Sequence, residues 1–367
     1  MVDWTASMQQ YFEYYVVDPG TWRDIKKLTT IKSCSITRDA ETDTLGSATF
    51  DTTELIGECY IRVYLVTIQN GVSEKHPLGT FLAQTPNTSF DGKVRSISVD
   101  AYTPLIELKE NQPDVGYFIP KYDDFQQTTL DSAYLLTKEH VRAPVIKPSL
   151  STLKNFPNEL KLTESFTAET NETWLAYIRA LISSAKYEFA LDEIGRISFN
   201  PVQELDSLSP RWTYDDGNSS ILYPDISIKH DLFGIPNVVE VTHSTSFGKQ
   251  YAKVENNDPN SPVSIVSRGR KIIRRVTNPS GISDNPNPLS KEVEIYATNL
   301  LKSLSTLPCT ITYTHGYCPV RLGDCVRLDY TNAGLANIKA RVISQNIKCT
   351  TGCQVQETAI FNVKLWG

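Results

Sequence analysis

Cys318, Cys325, Cys349 and Cys353, with His315 close to the first, are the residues whose type could most readily hold a metal. A structural zinc site usually pairs a tight CxxC with a second Cys or His pair, because four ligands must converge tetrahedrally from short turns. Here three residues separate Cys349 from Cys353, six separate Cys318 from Cys325, and no CxxC occurs. KCTTGC, 348–353, reads instead as a hairpin tip flanked by cysteines acting as small hydrophobes. A disulfide across that tip would require an oxidising compartment. No metal is expected. His76, His140, His230, His243 and His315 sit in no HExxH-like motif. His230 precedes Asp231, but neighbours on an extended segment point to opposite faces.

Acidic pairs are the next candidates. Asp123-Asp124 and Asp215-Asp216 could serve glycoside hydrolysis, which needs two carboxylates facing across a cleft. Both lie in loop-like stretches and read as solvated turns. No GxSxG nucleophile turn and no Walker-type phosphate loop occurs. The expectation is therefore no catalytic residue and no cofactor. The basic run GRKIIRR, 269–275, carries Arg270, Lys271, Arg274 and Arg275. These side chains could line a channel or meet an acidic partner. Equally, they could keep a strand edge solvated and so discourage aggregation.

The remaining motif is an echo. GECYIRVYL, 57–65, and GDCVRLDY, 323–330, both read glycine, acid, cysteine, then an arginine between apolar neighbours. In the first, Ile61, Val63 and Leu65 share one strand face and Arg62 stands on the other. In the second, Val326, Leu328 and Tyr330 share a face opposite Arg327. That pattern suggests a turn glycine feeding a sheet strand with one wet side. Repeated architecture is a simpler account than a split active site.

The elements that must position these residues alternate between β and mixed stretches. Strand-like runs occupy 32–38, 46–51, 59–68, 79–85 and 89–102, with Asn70-Gly71 and Asp91-Gly92 as tight-turn dipeptides. Such spacing suggests a small antiparallel barrel or sandwich. A helix is expected over 128–140. A stronger one over 171–187 has Trp174, Leu175, Ile178, Leu181, Ile182 and Ala185 on one face. A hairpin follows, turning at 192–195. Strands return at 219–228 and 237–244, then a polar Asn/Pro/Ser-rich stretch, then an amphipathic helix over 289–305 with Val293, Tyr296, Ala297, Leu300, Leu301 and Leu304 as its stripe. Short strands fill 309–366. This order predicts a mainly β chain with α+β modules, whose second barrel is interrupted by an insertion.

Composition narrows the function. The 367 residues can bury a substantial core in several units. Net charge is -6, which argues against a general nucleic-acid binder because counterion displacement needs a basic face. The first twenty residues lack a basic n-region and an apolar run, so no signal peptide is expected. No stretch has the apolar length of a membrane span. Seven cysteines cannot all pair within one chain, and free thiols in a reducing cytoplasm are expected.

Taken in order, YYVVDPGTWRDI, SITRDAETDTLGSATFD, TWLAYIRALISSAKYEFALDEIGRISFNP, PNVVEV, the GRKI segment, ATNLLKSLS, YCPVRLGDCVRLDY and the closing strand before Trp366 give the chain a resemblance. It resembles the tail or baseplate hub proteins of tailed bacteriophages and related contractile injection systems, from about residue 12 to 366. The resemblance implies two tail-tube-like antiparallel β-barrels plus inserted α/β domains. The implied plan is a first tube-like barrel at 1–110, an α/β domain at 111–205, a second barrel split between 206–248 and 306–367, and a loop-rich insertion with a helix at 249–305. It likewise implies a structural, non-catalytic role for Gly57, Arg62, Gly323, Asp324 and Arg327. It further implies a homotrimer that adapts a hexameric tail tube to a threefold tip or spike. Distal tail or baseplate proteins and a tape measure would be neighbours, with DNA only in transit through the lumen and no membrane insertion. The setting would be the virion tail, assembled in the host bacterial cytoplasm. Two rivals stand beside it: a tail-associated cell-wall hydrolase using an acidic pair, and a receptor- or carbohydrate-binding tail module.

Overall fold

The computed structural model describes residues 2–93, 95–122, 127–148, 161–245, 248–280, 282 and 291–366. The chain divides into two compact units. One is Met1–Ile226 with Tyr313–Thr358; the other is Ser227–Thr312 with Ala359–Gly367.

The first unit opens with seven strands: β1 (Gln9–Val17), β2 (Asp24–Leu28), β3 (Ile31–Asp39), β4 (Gly46–Thr52), β5 (Cys59–Gln69), β6 (Val72–Phe90) and β7 (Arg95–Tyr102). Their sheet order is β3-β4-β7-β6-β5-β1-β2. The β5–β6 hairpin turns at Asn70-Gly71 as the sequence predicts. Both residues have positive φ, 52° and 78°, as the tight turn matching strand twist requires. The runs expected at 79–85 and at the start of 89–102 are instead parts of one long strand, β6, whose pairing shifts at Val63/Tyr64 and Ala83/Thr85. Such bulges bend a strand without ending it.

An α/β module follows: α1 (Ile106–Lys109), β8 (Phe118–Ile119), α2 (Thr129–His140), β9 (Phe166–Thr167), α3 (Trp174–Ser184), β10 (Tyr187–Leu191) and β11 (Ile197–Pro201). Thr128 caps α2 by accepting from the Asp131 N–H at 3.0 Å, and Thr173 caps α3 from Ala176 at 3.2 Å. All six residues of the expected α3 stripe are buried, joined by Tyr177. They share one core with Trp22, Tyr60 and Leu82 from the sheet. The other face of the sheet has its own core, built on Ile36, Phe50, Ile61, Val63, Leu65 and Val99. β5 thus lies between two apolar layers.

The second run of strands is β12 (Trp212–Asp215) and β13 (Leu222–Lys229), then an insertion, then β17 (Thr306–Gly316), β18 (Cys325–Asp329), β19 (Ile338–Lys348) and β20 (Gln354–Lys364). The insertion holds β14 (Val238–Thr245), β15 (Gly248–Glu255), α4 (Ile265–Arg268), β16 (Ile273–Thr277) and α5 (Glu292–Leu304). NVVEVTHS, where the sequence suggested a barrel strand, is β14. It pairs with β15 and β16, so the three-stranded sheet of the insertion begins at Val238. The α5 residues Val293, Ala297 and Leu301 pack on Val239, Val241 and Ala252 of that sheet.

The strand order of the second run is β13-β17-β20-β19-β18-β12, against β3-β4-β7-β6-β5-β1 in the first. Position by position in chain order these are the same. Each has a first strand, its neighbour, and then a three-strand meander laid back beside that neighbour, with the earliest strand added at the far side. β5 and β18, which carry the two halves of the echo, occupy equivalent places. The added strand differs in direction: β1 is antiparallel to β5, whereas β12 is parallel to β18.

The mainly β class with α+β modules is as expected, but the closed barrels are not found among the described residues. Closure would require the outer edge of β3 to return to its own meander. That edge is occupied by β19, with Asp39 opposite Ser344 and Ser35 opposite Lys348. The strand path is therefore continuous and open.

Candidate functional site

The two arginines of the echo have different surroundings. Arg62 is buried, because the α/β module covers the face of β5 on which it stands. This corrects the expectation of a wet face. Its Nε donates to Thr80 Oγ1 at 2.9 Å, and its Nη1 to Asp24 Oδ1 at 2.9 Å. Nη2 reaches the carbonyls of Ile194 at 3.1 Å and Trp22 at 3.4 Å. Trp22 Nε1 donates to the same Ile194 carbonyl at 2.6 Å. Gly195 follows with φ +80°, and a Cβ there would stand 2.9 Å from Thr80 Cβ. Arg62 therefore fastens the hairpin tip of the α/β module to the sheet. Arg327, by contrast, is exposed on β18.

The glycines differ as well. Gly323 has φ +81° and turns the chain into β18. Its N–H donates to Val342 O at 2.9 Å, and Asp324 Oδ2 accepts from the Arg321 N–H at 2.9 Å. Gly57 needs no left-handed conformation, and a Cβ there would meet open space. The glycine-acid start of the motif is thus a required turn only in the second copy.

The second copy hides a polar cluster that sequence reasoning missed. Glu357 and His315 are wholly buried, with His315 Nε2 3.5 Å from Glu357 Oε2. Tyr313 donates its hydroxyl to Glu357 Oε1, and Gln345 Nε2 donates to Glu357 Oε2 at 2.6 Å. Arg38 Nη1 donates to Gln345 Oε1 at 2.9 Å, and Arg38 Nη2 to Leu78 O at 2.6 Å. Tyr214 OH lies 3.1 Å from His315 Nε2 and 3.3 Å from Cys318 Sγ. Burial works against a charge on His315. Hydrogen bonding to Cys318 and Glu357 and the Glu357 charge outweigh it and push the imidazole up to about 10. The signal was available: His315 alternates in step with Leu307, Cys309, Ile311 and Tyr313, and Glu357 with Val355, Ala359 and Phe361, all inward positions.

The other candidates have plain roles. Asp215 Oδ1 accepts from the Gly217 N–H at 2.9 Å, as Asp18 Oδ1 accepts from Gly20 at 3.4 Å after β1. Asp216 accepts from Thr331 Oγ1 at 2.8 Å. Asp215 thus shapes an exposed turn, and Asp216 ties that turn to Thr331. Asp123-Asp124 lies outside the described residues. All seven cysteines are free, and Cys34, Cys349 and Cys353 share the core built on Ile36, Phe50 and Ile61. Among the described residues no three His, Cys, Asp or Glu side chains form a metal-binding group.

GRKIIRR runs into β16, whose only partner among the described residues is β14. Lys271 Nζ bonds Glu255 at 2.8 Å, and Arg275 Nε bonds Glu240 at 2.8 Å. Arg270, just before β16, and Arg274 within it are exposed. A charged edge strand is what blunts sheet-to-sheet aggregation. An open pocket of about 370 Å³ in the α/β module is lined by Glu58, Glu107, Glu110, Glu139, His140 and Arg142 among others. Its Glu107 is engaged by the Arg142 backbone N–H at 2.7 Å and by the Arg142 guanidinium. No nucleophile-base pair faces it.

No protein-family model matches the chain, and no curated protein sequence matches it. Solved structures do. The tail protein from Neisseria meningitidis MC58 superposes with a TM-score of 0.58 at 14% identity, covering 96% of this chain and 96% of that one. The 43 kDa tail protein of prophage MuSo2 from Shewanella oneidensis gives 0.60 at 12%, covering 97% and 98%. A chain of the Francisella PdpA-VgrG complex, in its lidded form, gives 0.53 at 9%, covering 96% of this chain but 53% of that one. The fold of this chain, end to end, is that of these tail proteins.

Proposed function

We propose that the chain is a structural protein of a phage or phage-derived tail. In this reading it is a homotrimeric hub that adapts a hexameric tail tube to a threefold tip or spike. The observation that carries the proposal is the repeated strand order, with β3 of the first copy paired to β19 of the second. A chain with two equivalent sheet modules, joined edge to edge, offers pseudo-sixfold symmetry from three protomers. Heterologous contacts of that kind close into rings when the rotation allows. The tail-tube protein and the tip or spike protein are the direct partners, with distal tail or baseplate proteins and the tape measure nearby. DNA passes without being held, which suits the net charge of -6. The role needs no reactive centre, and Asp215 and Asp216 act as turn formers. The full-length likeness to the two tail proteins supports a place in the virion tail.

The adaptor role is tested with a tail-tube protein from the same tail. Mixed with preassembled tubes, the purified protein is expected to appear in electron micrographs as a cap at one end only. Binding along the tube wall, or to neither end, would contradict the role.

A further inference from the structure

The junction inside the chain has a counterpart that is unused. β18 stops pairing with β19 at Arg341, opposite Cys325, and beyond that point the freed edge of β19 takes β3. In the first copy, β5 stops pairing with β6 at Ala83, opposite Cys59. The rest of β6, Gln84–Phe90, pairs on its other side with β7, is largely exposed, and has no strand on the β5 side among the described residues. Counting from the matched cysteines, Pro86–Phe90 correspond to Ser344–Lys348.

The strand equivalent to β3 is β13, which among the described residues pairs only with β17, so that no strand lies on its outer edge there. The sequence at its end repeats that of β3: SITRD, 35–39, becomes SIKHD, 227–231, of which Ser227–Lys229 lie in β13 and His230-Asp231 just follow it. The alignment is supported by geometry. Arg38 pairs with Gly46 on the neighbouring strand β4, and His230 lies beside the neighbouring strand β17, with its Nδ1 3.0 Å from Cys309 Sγ. Ile36 is buried and Ile228 half-buried, so the two strands present the same face to their cores.

We infer that the 227–231 edge of one copy pairs antiparallel with the Pro86–Phe90 edge of β6 in a second copy of this chain, repeating the β3–β19 junction between protomers. The expected register sets Lys229 opposite Thr88, and His230 opposite Asn87. The latter pair stands where Arg38 meets Gln345 inside the chain. Two free edges at equivalent places, on a molecule that already joins the other two, are self-complementary in a head-to-tail sense. This assignment rests on the hub reading only for the number of copies, three.

The test joins Thr88→Cys and Lys229→Cys in one chain. On mild oxidation, a denaturing gel is expected to show covalent species at two and three times the chain mass. Neither single substitution, nor the native chain with its seven thiols, should give them. Hydrogen exchange on the native protein provides a readout that needs no variant. Backbone amides within 86–90 and 227–231 should exchange more slowly in the oligomer than in dilute monomer. A trimer that shows neither crosslinking nor protection would overturn the edge pairing and leave the hub standing. A protein monomeric at every concentration would overturn both.

Discussion

Glu357→Ala is expected to destabilise the protein by about 3–5 kcal/mol, because it leaves a buried imidazolium and two hydrogen-bond donors without their partner. Tyr313, Gln345 and His315 all converge on this carboxylate, and none has water to turn to. Urea unfolding at pH 7 should show the loss as a lower midpoint with an unchanged slope. The pH dependence has a definite sign. His315 is raised from 6.5 to about 10 in the folded chain. Its protonated form therefore adds stability that is fully present below pH 6.5 and is lost as pH rises towards 10. Glu357→Gln, which keeps the shape but removes the charge, should flatten that decline. A midpoint for the native protein that holds constant from pH 6.5 to 10 would count against a charged, paired His315.

Arg62→Ala is expected to cost about 2–4 kcal/mol, since the guanidinium is a buried charge-assisted donor to a carboxylate, a hydroxyl and two carbonyls. Arg62→Lys should recover only part of the loss, because an ammonium cannot serve as a fork to Asp24 and Ile194 together. The signature of the site is local. Trp22 bonds the same Ile194 carbonyl, so its indole environment should change with Arg62 and not with Arg327. Arg327→Ala, at an exposed position, should stay within about 0.5 kcal/mol of the native protein. Equal losses at both arginines would mean that the echo marks one repeated clamp, contrary to the geometry.

These two sites show what a linear reading can reach. The α3 stripe was legible because the helical period repeats within eleven residues and its caps lie at either end. The Asn70-Gly71 turn was legible because positive φ at both positions leaves few alternatives. The two halves of the echo fall on β5 and β18, which hold the same place in the two strand orders. What it did not carry was their surroundings. The partners of Arg62 come from positions 22, 24, 80 and 194, and the layer that buries it belongs to a separate module. The Glu357 cluster draws on 38, 214, 313, 315 and 345, though the inward alternation of β17 and β20 was there to be read. Barrel closure failed as an expectation for a similar reason. The edge of β3 is claimed by a strand some three hundred residues away, and nothing local in either segment announces it.

If three copies assemble through the repeated sheet modules, light scattering of the purified protein gives a mass of about three times 41.2 kDa, and negative-stain images of the main peak show an end-on ring with six similar lobes around an open centre. A stable species of one or two chains at concentrations well above those of assembly, with no ring, would contradict it.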